Sequence, residues 1–101
     1  MAEPMRIRAF QKLIEEIYYK RDSSRGKEGT FVWFVEEVGE LAKAVARPGA
    51  VSPDNLREEF ADVFAWLSTL ASLTGVDLED AARSKYGQGC PKCGSTPCDC
   101  S

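Results

Sequence analysis

Two short clusters of carboxylates lie inside segments that are otherwise apolar and helix-forming. They read EEVGE, beginning at Glu36, and EEFAD, beginning at Glu58. Residues three and four apart share one face of a helix, so the last acid of each motif lies beside the second. Like charges about 5 Å apart cost roughly 3 kcal/mol per pair at an effective dielectric near 20. A bound Mg²⁺ or Mn²⁺ would remove that cost, and the pattern predicts a cation site; a solvated acidic face is the alternative.

The chain contains no histidine. This excludes serine and cysteine hydrolases with a catalytic histidine, HExxH metalloproteases and di-iron bundles that need histidine ligands. Any catalysis must use carboxylates and metal. An all-oxygen ligand set suits the hard cations Mg²⁺ and Mn²⁺ better than zinc.

All cysteines of the chain fall near its C-terminus with the spacing C-x2-C-x4-C-x-C: Cys90, Cys93, Cys98 and Cys100. Four thiolates suit tetrahedral Zn²⁺, and a tail too short to form a core would fold on its metal. We predict a structural zinc knuckle with no open coordination position and no catalytic role. Two disulfides, an iron–sulfur cluster and a flexible redox tail are the alternatives.

Composition indicates an ordinary soluble globular protein. Of 101 residues, 44% are hydrophobic and 29% are charged, and no stretch approaches a transmembrane span. The N-terminus has no secretory pattern, so we expect a cytoplasmic protein. A net charge of -3 without a basic cluster argues against long nucleic acid as a ligand. We predict two parts, a helical domain over residues 1–87 and a Cys-rich metal-binding tail over residues 88–101.

Apolar periodicity predicts four helices that position the acids. The first spans residues 5–21 and is followed by a polar loop over residues 22–29. The second begins at Thr30 as its cap and ends at Pro48-Gly49. The third begins at Ser52 or Asp54 and ends near residues 74–75, and the fourth spans residues 77–86.

The two acidic stripes border the apolar faces of the second and third helices. Trp33 shares the stripe of Glu37 and Glu40, and Trp66 shares that of Glu59 and Asp62. Packing of the apolar faces should therefore bring four carboxylates and two indole rings into one cleft. The third helix is apolar over more of its circumference than so short a chain can cover, so we expect a homo-oligomer, a dimer or a tetramer.

These motifs, in the contexts VEEVGELAKA and EEFADVFAWL, resemble the MazG-like nucleotide pyrophosphohydrolases of the all-α NTP pyrophosphatase superfamily. The similarity extends from the first helix to Lys85 and includes GVDLEDA before the last helix. It implies an all-α, four-helix MazG-like bundle completed by oligomerisation. It also implies a nucleoside triphosphate substrate, cleaved between the α and β phosphates to the monophosphate and pyrophosphate.

The resemblance implies a role for each acid. Mg²⁺, or Mn²⁺, would be held by four carboxylates and would activate a water for in-line attack: Glu37, Glu40, Glu59 and Asp62. Glu36 matches the first acid of the family motif and is the candidate to orient or deprotonate that water, or else a further ligand.

Five residues are candidates for contact with the substrate. Trp33 and Trp66 are placed to stack on a base, with a core role as the alternative. Arg25 and Lys27 lie in the loop before the second helix, from which they can reach polyphosphate; solvated loop cations are the alternative. Lys85 matches a lysine that the family uses near the phosphates, although Gly87-Gln88-Gly89 departs from the family pattern that follows it.

Two other functions are compatible with the same residues. One is a noncatalytic nucleotide- or metal-sensing module on this fold, with the zinc tail as its interaction element. The other is a purely structural helical dimer, which predicts no nucleotide affinity. The leading hypothesis is a magnesium-dependent pyrophosphohydrolase in nucleotide-pool house-cleaning.

Overall fold

The chain folds into helices only, over the residues that the structure describes. The computed structural model covers residues 4–47, 49 and 51–101, in which there are three helices and no strand. Helix α1 spans Ile7–Ala46, α2 spans Pro53–Leu73 and α3 spans Leu78–Tyr86. The predicted all-α class is confirmed. None of these helices is both long and apolar enough to cross a bilayer.

Helix α1 bends sharply at Gly26, which interrupts its helical backbone with φ 79° and ψ 173°. A positive φ of this kind favours glycine because it has no Cβ. Phe10 stacks on Phe64, and Trp33 stacks on Trp66, two residues further along α2. Phe10 and Trp33 would be about 35 Å apart on a straight helix. The bend therefore turns both halves of α1 onto the same part of α2.

The predicted loop over residues 22–29 is wrong, because the backbone remains helical on both sides of Gly26. Contacts of Asp22 and Arg25 with α2 hold this polar segment in place. Local helix propensity does not include such contacts, so the sequence pattern could not predict them. Thr30 is not an N-cap either. It is fully buried within α1, and its hydroxyl donates to the Gly26 carbonyl at 2.7 Å, one turn back.

The ends of α2 and α3 follow the sequence closely. Ser52 caps α2 by accepting a hydrogen bond from the Asn55 N–H, and Asp77 caps α3 by accepting one from Asp80. Helix α1 ends at Ala46, close to the predicted stop, although Pro48 itself lies outside the described residues.

Side-chain hydrogen bonds join the first half of α1 to α3 and the segment before it. The buried Gln11 amide donates to the Val76 carbonyl and accepts from the Leu78 N–H. Arg8 forms ion pairs with Asp77 at 2.7 Å and with the buried Glu79 at 3.1 Å. These contacts fix α3 against α1.

The core is small, and much apolar surface stays exposed. Among the described residues only three hydrophobic side chains are buried: Ile14, Ala44 and Ala71. Large apolar side chains on the second half of α1 and on α2 are about half exposed: Phe31, Val32, Val35 and Phe60. A single copy of the chain therefore leaves an extensive apolar face uncovered.

Candidate functional site

Three carboxylates from two helices converge into one cluster. Glu37 of α1 meets Glu59 and Asp62 of α2, and one oxygen of each lies within 4.8 Å of the others. The second half of α1 runs antiparallel to α2 here, because Trp33 pairs with Trp66 and Glu37 pairs with the earlier residues of α2. This packing brings together three of the four acids that were expected on adjoining stripes, and Glu40 is the one that does not join them.

One oxygen of this cluster is buried without compensation. Glu59 Oε2 has no hydrogen-bond partner among the described residues, although it is shielded from solvent. An unpaired buried carboxylate oxygen is costly, and beside two further carboxylates the cost rises. A divalent cation with oxygen ligands would satisfy this atom and offset the repulsion, so the residues present fit such a group.

The electrostatics of Glu37 report the same crowding. Burial is the largest cause that raises its pKa above the usual range of a glutamate, and the charges of Asp62, Glu59, Glu40 and Glu36 raise it further. Desolvation and like charges both disfavour the ionised form. The cluster is therefore strained in the absence of a positive charge.

The other acids of the two motifs lie further out. Glu40 is exposed and forms an ion pair with Lys43 at 3.8 Å. Glu36 and Glu58 are also exposed. Glu36 and Glu40 are close enough for their charges to raise the pKa of Glu37, but neither belongs to the group of three whose oxygens converge.

A cavity of about 300 Å³ adjoins the carboxylate cluster, since Asp62 belongs to the cluster and also lines the cavity. Its walls come from the first half of α1 and from α2, and they carry both charges and rings: Tyr18, Arg21, Asp22, Arg25, Asp62 and Trp66. Two guanidinium groups beside a metal-type acid cluster can bind an anionic ligand. The volume is at the lower end of small-molecule sites.

The two tryptophans are partly exposed and parallel. Their ring centroids are 6.1 Å apart at an interplanar angle of 11°. The Arg25 guanidinium lies 4.8 Å from the centroid of Trp66, a cation–π distance. Trp66 lines the cavity, whereas Trp33 does not.

The predicted cationic contacts divide into two groups. Arg25 lines the cavity and bonds to Asp22. Lys27 and Lys85 are exposed and do not line it. Lys85 lies in the last turn of α3, with its ammonium 5.6 Å from the Tyr86 ring centroid.

Sequence reasoning did not assign to the site four cavity residues whose side chains carry a polar group: Tyr18, Arg21, Asp22 and Thr69. The i,i+3 spacing of Asp22 and Arg25 was an available signal, but a helix pair is meaningful only where the backbone is helical. Reading residues 22–29 as a loop removed that signal.

The cysteine tail forms a second cluster after α3. The sulfur atoms of Cys90, Cys93, Cys98 and Cys100 lie within 4.8 Å of one another, and none forms a disulfide. Cys90 Sγ is 3.7 Å from Cys100 Sγ and 3.6 Å from Cys98 Sγ. Sulfur atoms about 3.8 Å apart are expected around a tetrahedral metal with bonds near 2.3 Å. The spacing therefore fits a four-thiolate metal site.

Backbone N–H groups point at these sulfurs. The Asp99 N–H donates to Cys93 Sγ at 3.2 Å, and together with that of Ser95 it lowers the pKa of Cys93 to about 6. The sulfurs of Cys98 and Cys90 raise the pKa of Cys100 to about 11. N–H groups that stabilise thiolates are typical of metal-binding cysteines. A cation bound among the four sulfurs would offset the repulsion between their thiolates.

Comparison with known proteins gives a family for this arrangement. No curated protein matches the chain. The model of the MazG nucleotide pyrophosphohydrolase domain matches residues 25–94, more than half of the chain, and this match includes both carboxylate motifs. The protein therefore belongs to the MazG nucleotide pyrophosphohydrolase domain family.

Proposed function

We propose that this protein is a magnesium-dependent nucleoside triphosphate pyrophosphohydrolase, which converts an NTP or dNTP to its monophosphate and pyrophosphate. The observation that carries the proposal is the convergence of Glu37, Glu59 and Asp62, with one Glu59 oxygen buried and unsatisfied, next to a cavity lined by two arginines. Family membership supports this reaction. Removal of noncanonical or surplus nucleotides in the cytoplasm is the biological role that we propose for it.

The three converging carboxylates would hold Mg²⁺ or Mn²⁺, with Glu40 as a further ligand from the next turn of α1. When bound, the cation neutralises phosphate oxygens and lowers the pKa of water. Glu36, the exposed acid beside Glu37, orients the attacking water or accepts its proton. The cleft thus combines charge neutralisation with a nearby base.

The remaining residues bind substrate. Arg25 offers its guanidinium to the polyphosphate from the cavity wall, and Lys27 and Lys85 add positive charge at the periphery. Trp66 and Trp33 present ring faces on which a base can stack, a contact worth about 1–3 kcal/mol.

Pyrophosphate release from a panel of canonical and damaged NTPs and dNTPs tests the proposal, with Mg²⁺ and with EDTA. We expect metal-dependent release by the wild type, its loss in Asp62→Asn and its retention in the matched control Glu16→Gln, an exposed acid of α1. If no nucleotide of the panel releases pyrophosphate but nucleotide binding is still detected, the result would favour a noncatalytic sensor. No binding at all would favour a structural dimer.

We further propose that the chain acts as a homo-oligomer, a dimer or a tetramer. The support is the half-exposed apolar face on α1 and α2, since each such side chain contributes roughly 1.5–3 kcal/mol when fully buried. Light scattering should give more than one copy for the wild type and a smaller species for Val35→Lys. Tyr19→Lys, which alters an exposed large apolar side chain on the first half of α1, is the control.

We also propose that the cysteine tail holds a structural Zn²⁺. Four sulfurs at tetrahedral spacing with N–H donors support this assignment. A closed four-thiolate shell leaves no position for substrate, so its contribution is folding of the tail. Elemental analysis of reduced protein purified without chelator should find stoichiometric zinc; protein free of zinc would contradict the assignment.

A further inference from the structure

The cavity contains a buried polar network that neither the carboxylate cluster nor the tail explains. Asp22 is 7% exposed and Thr69 is 5% exposed, and the Thr69 hydroxyl donates to Asp22 Oδ2 at 3.1 Å. Asp22 Oδ1 accepts a hydrogen bond from Arg25 Nη1 at 3.1 Å. The carboxylate thus links α2 to the arginine that immediately precedes the bend in α1.

Arg25 is held by contacts beyond that with Asp22. Its Nη1 also donates to the Thr30 hydroxyl at 3.2 Å, and its guanidinium lies against the Trp66 ring. Gly29 makes room for its stem, because a Cβ there would lie 2.8 Å from Arg25 Cγ. A long side chain that normally samples many rotamers is therefore fixed before any ligand binds.

The hydrogen bonds that fix Arg25 use only one of its three nitrogen atoms. Nε and Nη2 make no hydrogen bond to any described residue, although the side chain lines the cavity beside Asp62. An arginine edge formed by Nε and Nη2 is the fork that binds phosphate in a bidentate manner. The network leaves that fork available next to the carboxylate cluster.

Stability alone is a weak reason for this network. A buried ion pair is often no more stabilising than apolar side chains of the same volume, because desolvation offsets the Coulomb gain. Asp22 also places a negative charge beside a cavity that, under the proposed function, receives polyphosphate. An aspartate at this position is explained if the binding gained by orienting Arg25 exceeds the repulsion between Asp22 and the polyphosphate.

We propose that Asp22, supported by Thr69, is a positioning residue that fixes Arg25 as a bidentate ligand of the substrate's polyphosphate. This inference rests on the proposed function for the identity of the substrate. Arg25 touches the phosphates, whereas Asp22 acts only through Arg25.

The charge of Asp22 makes the test decisive, because positioning and simple electrostatics predict opposite signs. Asp22→Asn removes a negative charge near the anionic substrate, which by itself would tighten binding. Loss of positioning instead weakens it. We expect KM for the best nucleotide of the panel to rise about tenfold while kcat changes by less than about twofold. Glu16→Gln, which removes an exposed acid of the same helix, should leave both constants unchanged.

Milder variants guard against a folding defect in Asp22→Asn. Thr69→Val removes the hydroxyl at nearly constant volume and should raise KM about threefold. Thr69→Ser keeps the hydroxyl and should have a KM near that of the wild type. Arg25→Lys keeps the positive charge but lacks the two-nitrogen fork, so it should raise KM by as much as Asp22→Asn does. A lower or unchanged KM in Asp22→Asn, or a Thr69→Ser as weak as Thr69→Val, would overturn the proposal.

Binding of inorganic tripolyphosphate separates this inference from the proposed function. Calorimetry with Mg²⁺ should show tripolyphosphate binding to the wild type and about tenfold weaker binding to Asp22→Asn and Arg25→Lys. That result supports the positioning role even if no nucleotide is hydrolysed. The wild type could instead hydrolyse nucleotide while its tripolyphosphate affinity is absent or is unchanged by both substitutions. That result would retain the proposed function and overturn the positioning role.

Discussion

The carboxylate cleft and the cysteine tail are both candidate metal sites, but they are built in different ways. The four cysteines lie within residues 90–100, so a short, mostly exposed segment brings their sulfurs together. The three carboxylates come from two helices and meet only because α1 packs against α2. A local site depends on its metal for its shape, whereas a site between helices has its shape imposed by the fold.

The largest effect is expected in the tail. Cys93→Ser should reduce zinc content from stoichiometric to near zero, because a structural zinc site uses four protein ligands and a serine hydroxyl does not replace the lost thiolate. The far-UV circular dichroism of the helices should persist, since the sulfur cluster follows α3. Lys92→Ala, an exposed neighbour, is the control. Loss of helix together with zinc would show that the two regions fold as one unit.

The next effect concerns turnover in the cleft. Glu59→Gln should lower kcat at least about a hundredfold, because it removes the charge of the acid with the unsatisfied buried oxygen. Glu40→Gln should cost less, since Glu40 is exposed and already paired with Lys43. Steady-state pyrophosphate release at saturating Mg²⁺ measures both. Equal losses would mean that the ligands reorganise when metal binds, and a fully active Glu40→Gln would remove Glu40 from the ligand set.

A smaller effect concerns stability of the metal-free cleft. Burial and neighbouring charges raise the pKa of Glu37, so its ionisation at neutral pH destabilises the folded state. Glu37→Gln should therefore increase the free energy of unfolding in EDTA by about 0.5 kcal/mol, as measured in urea. Excess Mg²⁺ should stabilise the wild type more than the variant. A less stable Glu37→Gln in EDTA would contradict the picture of a strained, metal-ready cluster.

The smallest effect lies outside both sites, at the junction of α1 and α3. The hydrogen bond from Arg8, then the Asp80 N–H, lowers the pKa of Asp77. Its stabilising contribution is therefore complete above the usual aspartate range and is lost as the pH falls through the lowered pKa. Asp77→Asn keeps an N-cap acceptor but loses the ion pair. Thermal unfolding should show a lower midpoint than wild type at neutral pH and convergence in strong acid; a constant difference at all pH values would exclude the ion pair as its cause.

Sequence reasoning placed both acidic motifs in helices and located the end of α1 and the start of α2 closely, because the apolar periodicity is strong and those ends carry ordinary signals. The predicted start of the second helix at Thr30 was wrong, because that residue lies inside α1. Of the two predicted candidates, Ser52 and Asp54, the structure has Ser52 as the cap of α2, and α3 begins within one residue of its predicted start at Asp77. Sequence reasoning failed at residues 22–29, where aspartate, two serines and two glycines have low helix propensity. Contacts from Thr69 and Trp66, distant in the chain, keep that segment helical.

The sequence by itself determined the all-helical class, the two carboxylate motifs and the cysteine cluster, since each depends on residue type and on spacing within one segment. Only the tertiary structure decided which acids converge, that α1 bends at Gly26, and that Asp22 meets both Arg25 and Thr69. These outcomes depend on how two faces pack across a sharp change of direction. Helical periodicity specifies a face, but it does not specify the partner against which that face comes to lie.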